Sequence, residues 1–379
     1  MSIILISNMT IETGPLQTLK GTILSFLQRK QKNTVLGGVK ITSDTESDEI
    51  TNPSKTLNGL KEKADIMDGM MERNEVEQPF IGRIRWLVRL YFRNVFSDGG
   101  IEGLENLQWA ISRARTTGKR LIFTPAHLAD ADHPAAIYLM AQKSRGLGIE
   151  DELIWMAGVN MQRRDKTKKL MRAEHVIYNV THRDKNHLNT LMDKQDEYGF
   201  GEERVKTLGG IKKTFKLMGI KAMRKVKELC VEKKRPLEVY VEGGRSYEGD
   251  LKPPIEDFSA FFPEDDSAIV VPYRVYGSRE FDPPGKNKKG LLRRELLPLL
   301  RQRVSMRVGE SYFSSEIWEV KRRREAEEEG VNSMDWVMAN IASLDWKYVR
   351  PEKRPFYESF MDRFAPGRNR NFHSQDQVA

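Results

Sequence analysis

Between residues 102 and 308 the chain switches repeatedly between helical and strand-like hydrophobic spacing, and this alternation limits the possible folds more than any other feature. Helical spacing over 102–118 gives way to a β-rich run at 121–125. Helical spacing returns over 134–143, and runs at 153–157 and 176–180 follow. A long helix is expected next, with Ile211, Phe215, Met218, Ala222, Val226 and Leu229 on one stripe and lysines and arginines over the remainder. Runs at 237–241, 269–275 and 304–308 complete the series. A highly charged helix over 315–329 and a largely apolar one over 336–344 come after them. The pattern predicts an α/β fold, a central mixed sheet flanked by helices.

Ahead of this region, Ile81, Ile84, Val88, Tyr91, Phe92 and Val95 recur at helical spacing with arginines opposite, giving an amphipathic helix over 79–96 with Pro79 suited to its first turn. Residues 1–75 lack a sustained apolar period and read as a loosely ordered or helical N-terminal region. The expected division is therefore 1–75, an α/β domain over 76–345, and a C-terminal tail over 346–379.

Composition narrows the class. No stretch approaches the roughly 20 apolar residues that a spanning helix needs. The best candidate, 79–96, holds Arg83, Arg85, Arg89 and Arg93. The run 3–6 is too short for a signal-peptide core and has no basic segment before it, so a cytoplasmic or peripheral membrane location is expected. Cys230 is the single cysteine, which excludes an internal disulfide and a multi-thiolate metal site. An excess of 63 Lys and Arg over 54 Asp and Glu, a formal charge of +9, favours anionic partners without choosing among them.

The choice comes from two segments. The first, Phe123-Thr-Pro-Ala-His-Leu-Ala-Asp-Ala-Asp-His-Pro134, lies between a buried-looking strand and a helix. His127 and Asp132 are five apart, too far round for one helical face, so a turn must separate them with Asp132 near the helix start. Such an aspartate can fix the imidazole tautomer and leave the other ring nitrogen as a base near neutral pH. The pair lacks a protein nucleophile, which suits activation of a substrate hydroxyl. The same spacing also fits a loop histidine beside an N-capping aspartate. A metal-dependent hydrolase would use His127, Asp130, Asp132 and His133. Leu128 and Asp130, however, stand where an HxHxDH signature needs histidines, and no metal is expected.

The second segment is Leu237-Glu-Val-Tyr-Val-Glu-Gly-Gly-Arg-Ser246. Glu242, Gly243 and Gly244 cut the β-rich run, permitting a tight turn or close approach to a ligand. Arg245 offers a planar fork of donors suited to phosphate and Ser246 adds a hydroxyl. The spacing matches neither nucleotide-binding glycine loop.

Together the two segments resemble the glycerolipid acyltransferase family. The doubled glycine is closer to the glycerol-3-phosphate and dihydroxyacetone-phosphate acyltransferases than to the lysophosphatidate enzymes, whose usual motif is Glu-Gly-Thr-Arg-Ser. Two further blocks are similar, Ile269-Val-Val-Pro-Tyr273 and Val304-Ser-Met-Arg-Val-Gly-Glu310, and the resemblance covers roughly residues 80 to 345. It implies transfer of a fatty acyl group from acyl-CoA or acyl carrier protein to the sn-1 hydroxyl of glycerol 3-phosphate, in phospholipid synthesis, without a cofactor. His127 would be the base and Asp132 its orienting partner. Glu242, Gly243 and Gly244 would form the motif turn, and either the glycines or the amides at the helix start after Asp132 would hold the oxyanion. Arg245 and Ser246 would bind the acceptor phosphate. The block at 175–184 is similar to soluble plastid-type enzymes, whose strand ends in a basic pair, and this carries phosphate binding to His182 and Arg183. Tyr247 stands where that type has a second arginine, so no phosphate role passes to it. Dihydroxyacetone phosphate and lysophosphatidate are the alternative acceptors.

Lys286 to Arg303 interleaves basic residues with leucines, a pattern that fits contact with an anionic membrane, docking of an acidic carrier protein or simple domain packing. The sequence holds no aromatic-rich RNA motif or DNA-reading module, so nucleic acid is not an expected partner.

Overall fold

The computed structural model describes residues 50–77, 82–128, 132–143, 148–162, 174–243, 250–278, 301–327 and 332–369. In chain order the main elements are α1 (Pro53–Glu72), α2 (Gly82–Val95), β1 (Phe96–Glu102), α3 (Leu104–Thr117), β2 (Arg120–Pro125), α4 (Asp132–Lys143), α5 (Ile149–Glu152), β3 (Ile154–Gly158), β4 (His175–Asn179), α6 (His182–Asp193), α7 (Glu202–Val226), β5 (Leu237–Glu238), β6 (Ala268–Tyr276), β7 (Gln302–Val308), β8 (Tyr312–Phe313), α8 (Ser315–Ala326), α9 (Asp335–Ala342) and α10 (Arg354–Phe364). Pro79 lies outside the described residues, as do 286–300 of the basic stretch.

The sheet runs β1-β7-β6-β2-β5-β3-β4, with β8 added against β6. Strands β6, β2, β5, β3 and β4 pair in parallel, whereas β7 joins β6 antiparallel and pairs in parallel with β1. The sheet is therefore mixed and flanked by helices, as the alternating pattern predicts. Strand β6 shows why it sits centrally. Ala268 and Val270 bury into one cluster, while Ile269, Val271, Tyr273 and Val275 bury into the other. A strand covered on both faces reads as a continuous apolar run.

The first cluster lies under α1, α6, α7, α9 and α10. Helix α1 contributes Leu57, Leu60, Ala64, Met67 and Met70, a sparse stripe of three- and four-residue steps within a polar segment. The Asn52 side chain caps it by accepting the Lys55 amide, and Pro53 occupies the first turn. The described residues all belong to one compact unit. The second cluster lies under α3 and α4, to which α4 supplies Ala135, Ala136, Ile137, Leu139 and Met140.

Three local expectations are corrected. The run 237–241 is ladder-paired only at Leu237 and Glu238, because the chain then turns, with the Gly243 amide donating to the Tyr240 carbonyl. Strand β1 and helix α6 occupy segments not assigned to those elements from sequence. Among the described residues no helix is long and apolar enough to cross a membrane.

Candidate active site

Because β2, β5, β3, β4 and β6 run in parallel, their C-terminal ends share one edge of the sheet, where sites in α/β folds collect. His127 follows β2, Glu242 follows β5, and Ser278 follows β6. The Glu242 carboxylate clamps the edge together. Its Oε1 accepts the His127 backbone amide at 2.8 Å and its Oε2 accepts the Lys252 amide at 2.8 Å. Burial pushes its carboxyl up to about 7, an effect only partly offset by these two amides. Gly243 makes the turn possible. Its φ is +65°, and a β-carbon there would lie 2.2 Å from Ile255 Cδ1.

Asp132 opens α4 and is 1% exposed. Its Oδ2 accepts the Leu128 amide at 2.7 Å, and its Oδ1 accepts the Ser278 hydroxyl at 2.5 Å. The aspartate therefore fastens the loop after β2 to the helix start and to the end of β6. His127 Nδ1 lies 3.5 Å from Oδ2, an electrostatic contact at a separation longer than a formed hydrogen bond. The His127 ring is tilted against Tyr240 with centroids 4.3 Å apart, and its side chain is 21% exposed. No hydrogen bond engages Nε2 among the described residues, which leaves that nitrogen able to accept a proton.

A buried polar layer lies beneath. His133 Nδ1 is 2.9 Å from Glu238 Oε2, and the ring stacks on Trp155. Burial opposes charge on His133, but the Glu238 carboxylate outweighs it and the histidine is held above its ordinary pKa. Burial, reinforced by Glu238, raises the Tyr240 and Tyr273 phenols well above theirs. His133 is thus committed to Glu238. Among the described residues no group of three His, Cys, Asp or Glu side chains is arranged to hold a metal. Asp130 lies outside those residues.

His182 and Arg183 occupy the first turn of α6 rather than a strand end, because Thr181 caps that helix by accepting the Asp184 amide. Gly158 allows the approach of Thr181, whose Cγ2 lies 2.4 Å from where a β-carbon would stand. The pair shares the edge with His127, but β4 is three strands from β2, about 14 Å at ~4.8 Å per strand. Both side chains are half-buried. His182 Nδ1 is buried without a hydrogen-bond partner, and Arg183 forms no ion pair among the described residues. Gly244, Arg245 and Ser246 lie outside the described residues.

Sequence reasoning missed Ser278, which is 146 residues from Asp132 and carries no local signal. It named Glu242 as part of a turn but not as the acceptor that joins segments 115 residues apart. No family model matches the chain, and no curated protein matches it.

Proposed function

We propose that this protein is an acyltransferase that moves a fatty acyl group from a thioester, acyl-CoA or acyl carrier protein, to the sn-1 hydroxyl of glycerol 3-phosphate. The observation that carries the reading is the placement of His127. It stands at the shared strand edge with an unengaged Nε2, its Nδ1 faces the buried Asp132, and its backbone is held by Glu242. Nε2 takes the acceptor hydroxyl proton as the oxygen attacks the thioester carbonyl. The C–S bond of the tetrahedral intermediate then breaks, and the proton passes to the leaving thiolate. Asp132 stabilises the imidazolium, its contact with Nδ1 shortening as charge develops. No acyl-enzyme forms.

The amides of His127, Leu128 and Gly243 are already engaged, by Glu242, Asp132 and the Tyr240 carbonyl, so the oxyanion must find donors elsewhere on this edge. Arg183 and His182 are suited to the acceptor phosphate, and Arg245 and Ser246 share that role in the proposal. Peripheral contact with an anionic membrane belongs to it as well, since α2 exposes Trp86, Leu90 and Tyr91 on a helix that also carries Arg89 and Arg93.

The test is acyl transfer with glycerol 3-phosphate, dihydroxyacetone phosphate and lysophosphatidate, each with both donor types, for wild type and His127→Ala. Transfer to glycerol 3-phosphate that disappears in a variant with unchanged unfolding supports the reading. No transfer to any acceptor, or transfer undiminished by the substitution, refutes it.

A further inference from the structure

Arg274 lies inside β6, is 1% exposed, and has Nε, Nη1 and Nη2 all buried without a hydrogen-bond partner among the described residues. Its guanidinium carbon sits 3.6 Å from the centroid of Tyr348 and 5.3 Å from that of Tyr276, so aromatic rings line the cation. Its partner across the β6–β7 ladder is Arg307, another cation, which donates to Glu102 and to the Leu344 carbonyl. No carboxylate among the described residues forms an ion pair with Arg274. Ring contact does not satisfy the N–H donors, which point outward in the guanidinium plane. A buried guanidinium with its donors unmet is costly, and native interiors tolerate one where something completes it.

The position of Arg274 indicates what completes it. Tyr273 pairs with Pro125, which sets Arg274 level with Ala126, one residue before His127. Its charge also reaches Glu242, the carboxylate that holds the His127 backbone. A planar fork of donors between aromatic rings matches two oxygens of one phosphate group. We infer that Arg274 is a receptor for a phosphate group of a reactant bound at the His127 edge. The inference rests on the acyltransferase reading for the identity of that reactant. Either the phosphomonoester of the acceptor or the phosphates of a coenzyme A donor could supply the chemistry. Because the three nitrogens are closed to solvent, binding requires neighbouring side chains to move, and Tyr276 and Tyr348, both partly exposed, are the ones in contact with the guanidinium.

The experiment compares thermal unfolding of wild type, Arg274→Met and Arg274→Lys, alone and with inorganic phosphate, glycerol 3-phosphate, coenzyme A or glycerol as the neutral control. Wild type should be stabilised by phosphate and glycerol 3-phosphate but not by glycerol. Both variants should weaken that binding by about tenfold or more, the loss of at least one charge-assisted hydrogen bond. Without ligand, Arg274→Met should unfold no earlier than wild type, since it removes an unmet buried charge. A residue serving only to pack against tyrosine would lose stability there instead. If Arg274→Met fails to fold, Arg274→Lys, which keeps the charge and loses the fork, carries the binding test. Loss of the glycerol 3-phosphate and phosphate shifts alone assigns the receptor to the acceptor, and loss of the coenzyme A shift alone assigns it to the donor. Retention of every shift in both variants overturns the inference. An active wild type whose variants keep the acceptor KM and the donor KM overturns it without touching the acyltransferase reading. Arg274-dependent phosphate binding without any acyl transfer refutes that reading and leaves the receptor standing.

Discussion

Glu242→Gln tests the clamp through the pH dependence of stability. The folded protein holds this carboxyl at about 7 through burial, against an ordinary value of 4.5. Between those values the folded state keeps a proton that the unfolded chain has released, so the folded state binds more protons and stability falls as pH rises through the window. Worked through the linkage relation, the fall from pH 5 to pH 8 is about 2.5 kcal/mol. Glutamine cannot titrate. Its carbonyl can still accept one backbone amide, while its NH2 meets the other as donor against donor, a penalty that does not vary with pH. The stability difference, variant minus wild type, should therefore rise by about 2.5 kcal/mol between pH 5 and pH 8, whatever its value at pH 5. Urea unfolding at half-unit pH intervals measures it, and other titrating groups cancel in the subtraction. A difference that stays flat across this range would show that Glu242 is ionised throughout, and the account of a buried, nearly neutral clamp would be wrong.

Two further outcomes follow from the site. Ser278→Ala removes the hydroxyl on Asp132 Oδ1, which should cost roughly 1.5–3 kcal/mol of stability for a buried hydrogen bond to a charged group. It should also lower kcat while leaving acceptor KM near wild type, and steady-state kinetics with unchanged kcat would remove Ser278 from the orienting network. Arg183→Ala breaks no ion pair among the described residues, so denaturant stability should stay within about 0.5 kcal/mol of wild type. Acceptor KM should rise strongly with donor KM unaltered, and a rise in donor KM alone would move Arg183 to the other substrate.

The contrast between what the sequence reveals and what it hides follows from the range of the interactions. The placement of His127 just past β2 and of Asp132 at the start of α4 is legible because the strand ending at Pro125 and the helix starting at Asp132 are both local patterns. The Asp132–Ser278 contact is not legible, because Ser278 comes near Asp132 only through the parallel pairing of β2 with β6. His182 and Arg183 read as a strand end because Val176–Val180 is apolar, and the capping role of Thr181 is weaker in sequence than that run. Helix α1 falls within the region read as loosely ordered or helical, and its bounds are hidden because its buried stripe includes an alanine and two methionines among charged neighbours and packs against α7. Arg274 had a signal that could have been read. An arginine within the otherwise apolar run from Ile269 to Tyr276 falls on the same strand face as Val270, in a strand whose neighbours β2 and β7 make it central. A charge in that position has to meet a partner, and no other residue from Ile269 to Tyr276 is charged. Glu242 and Arg274, where local pattern and burial disagree, are both ionisable side chains that this fold buries near the strand edge carrying His127.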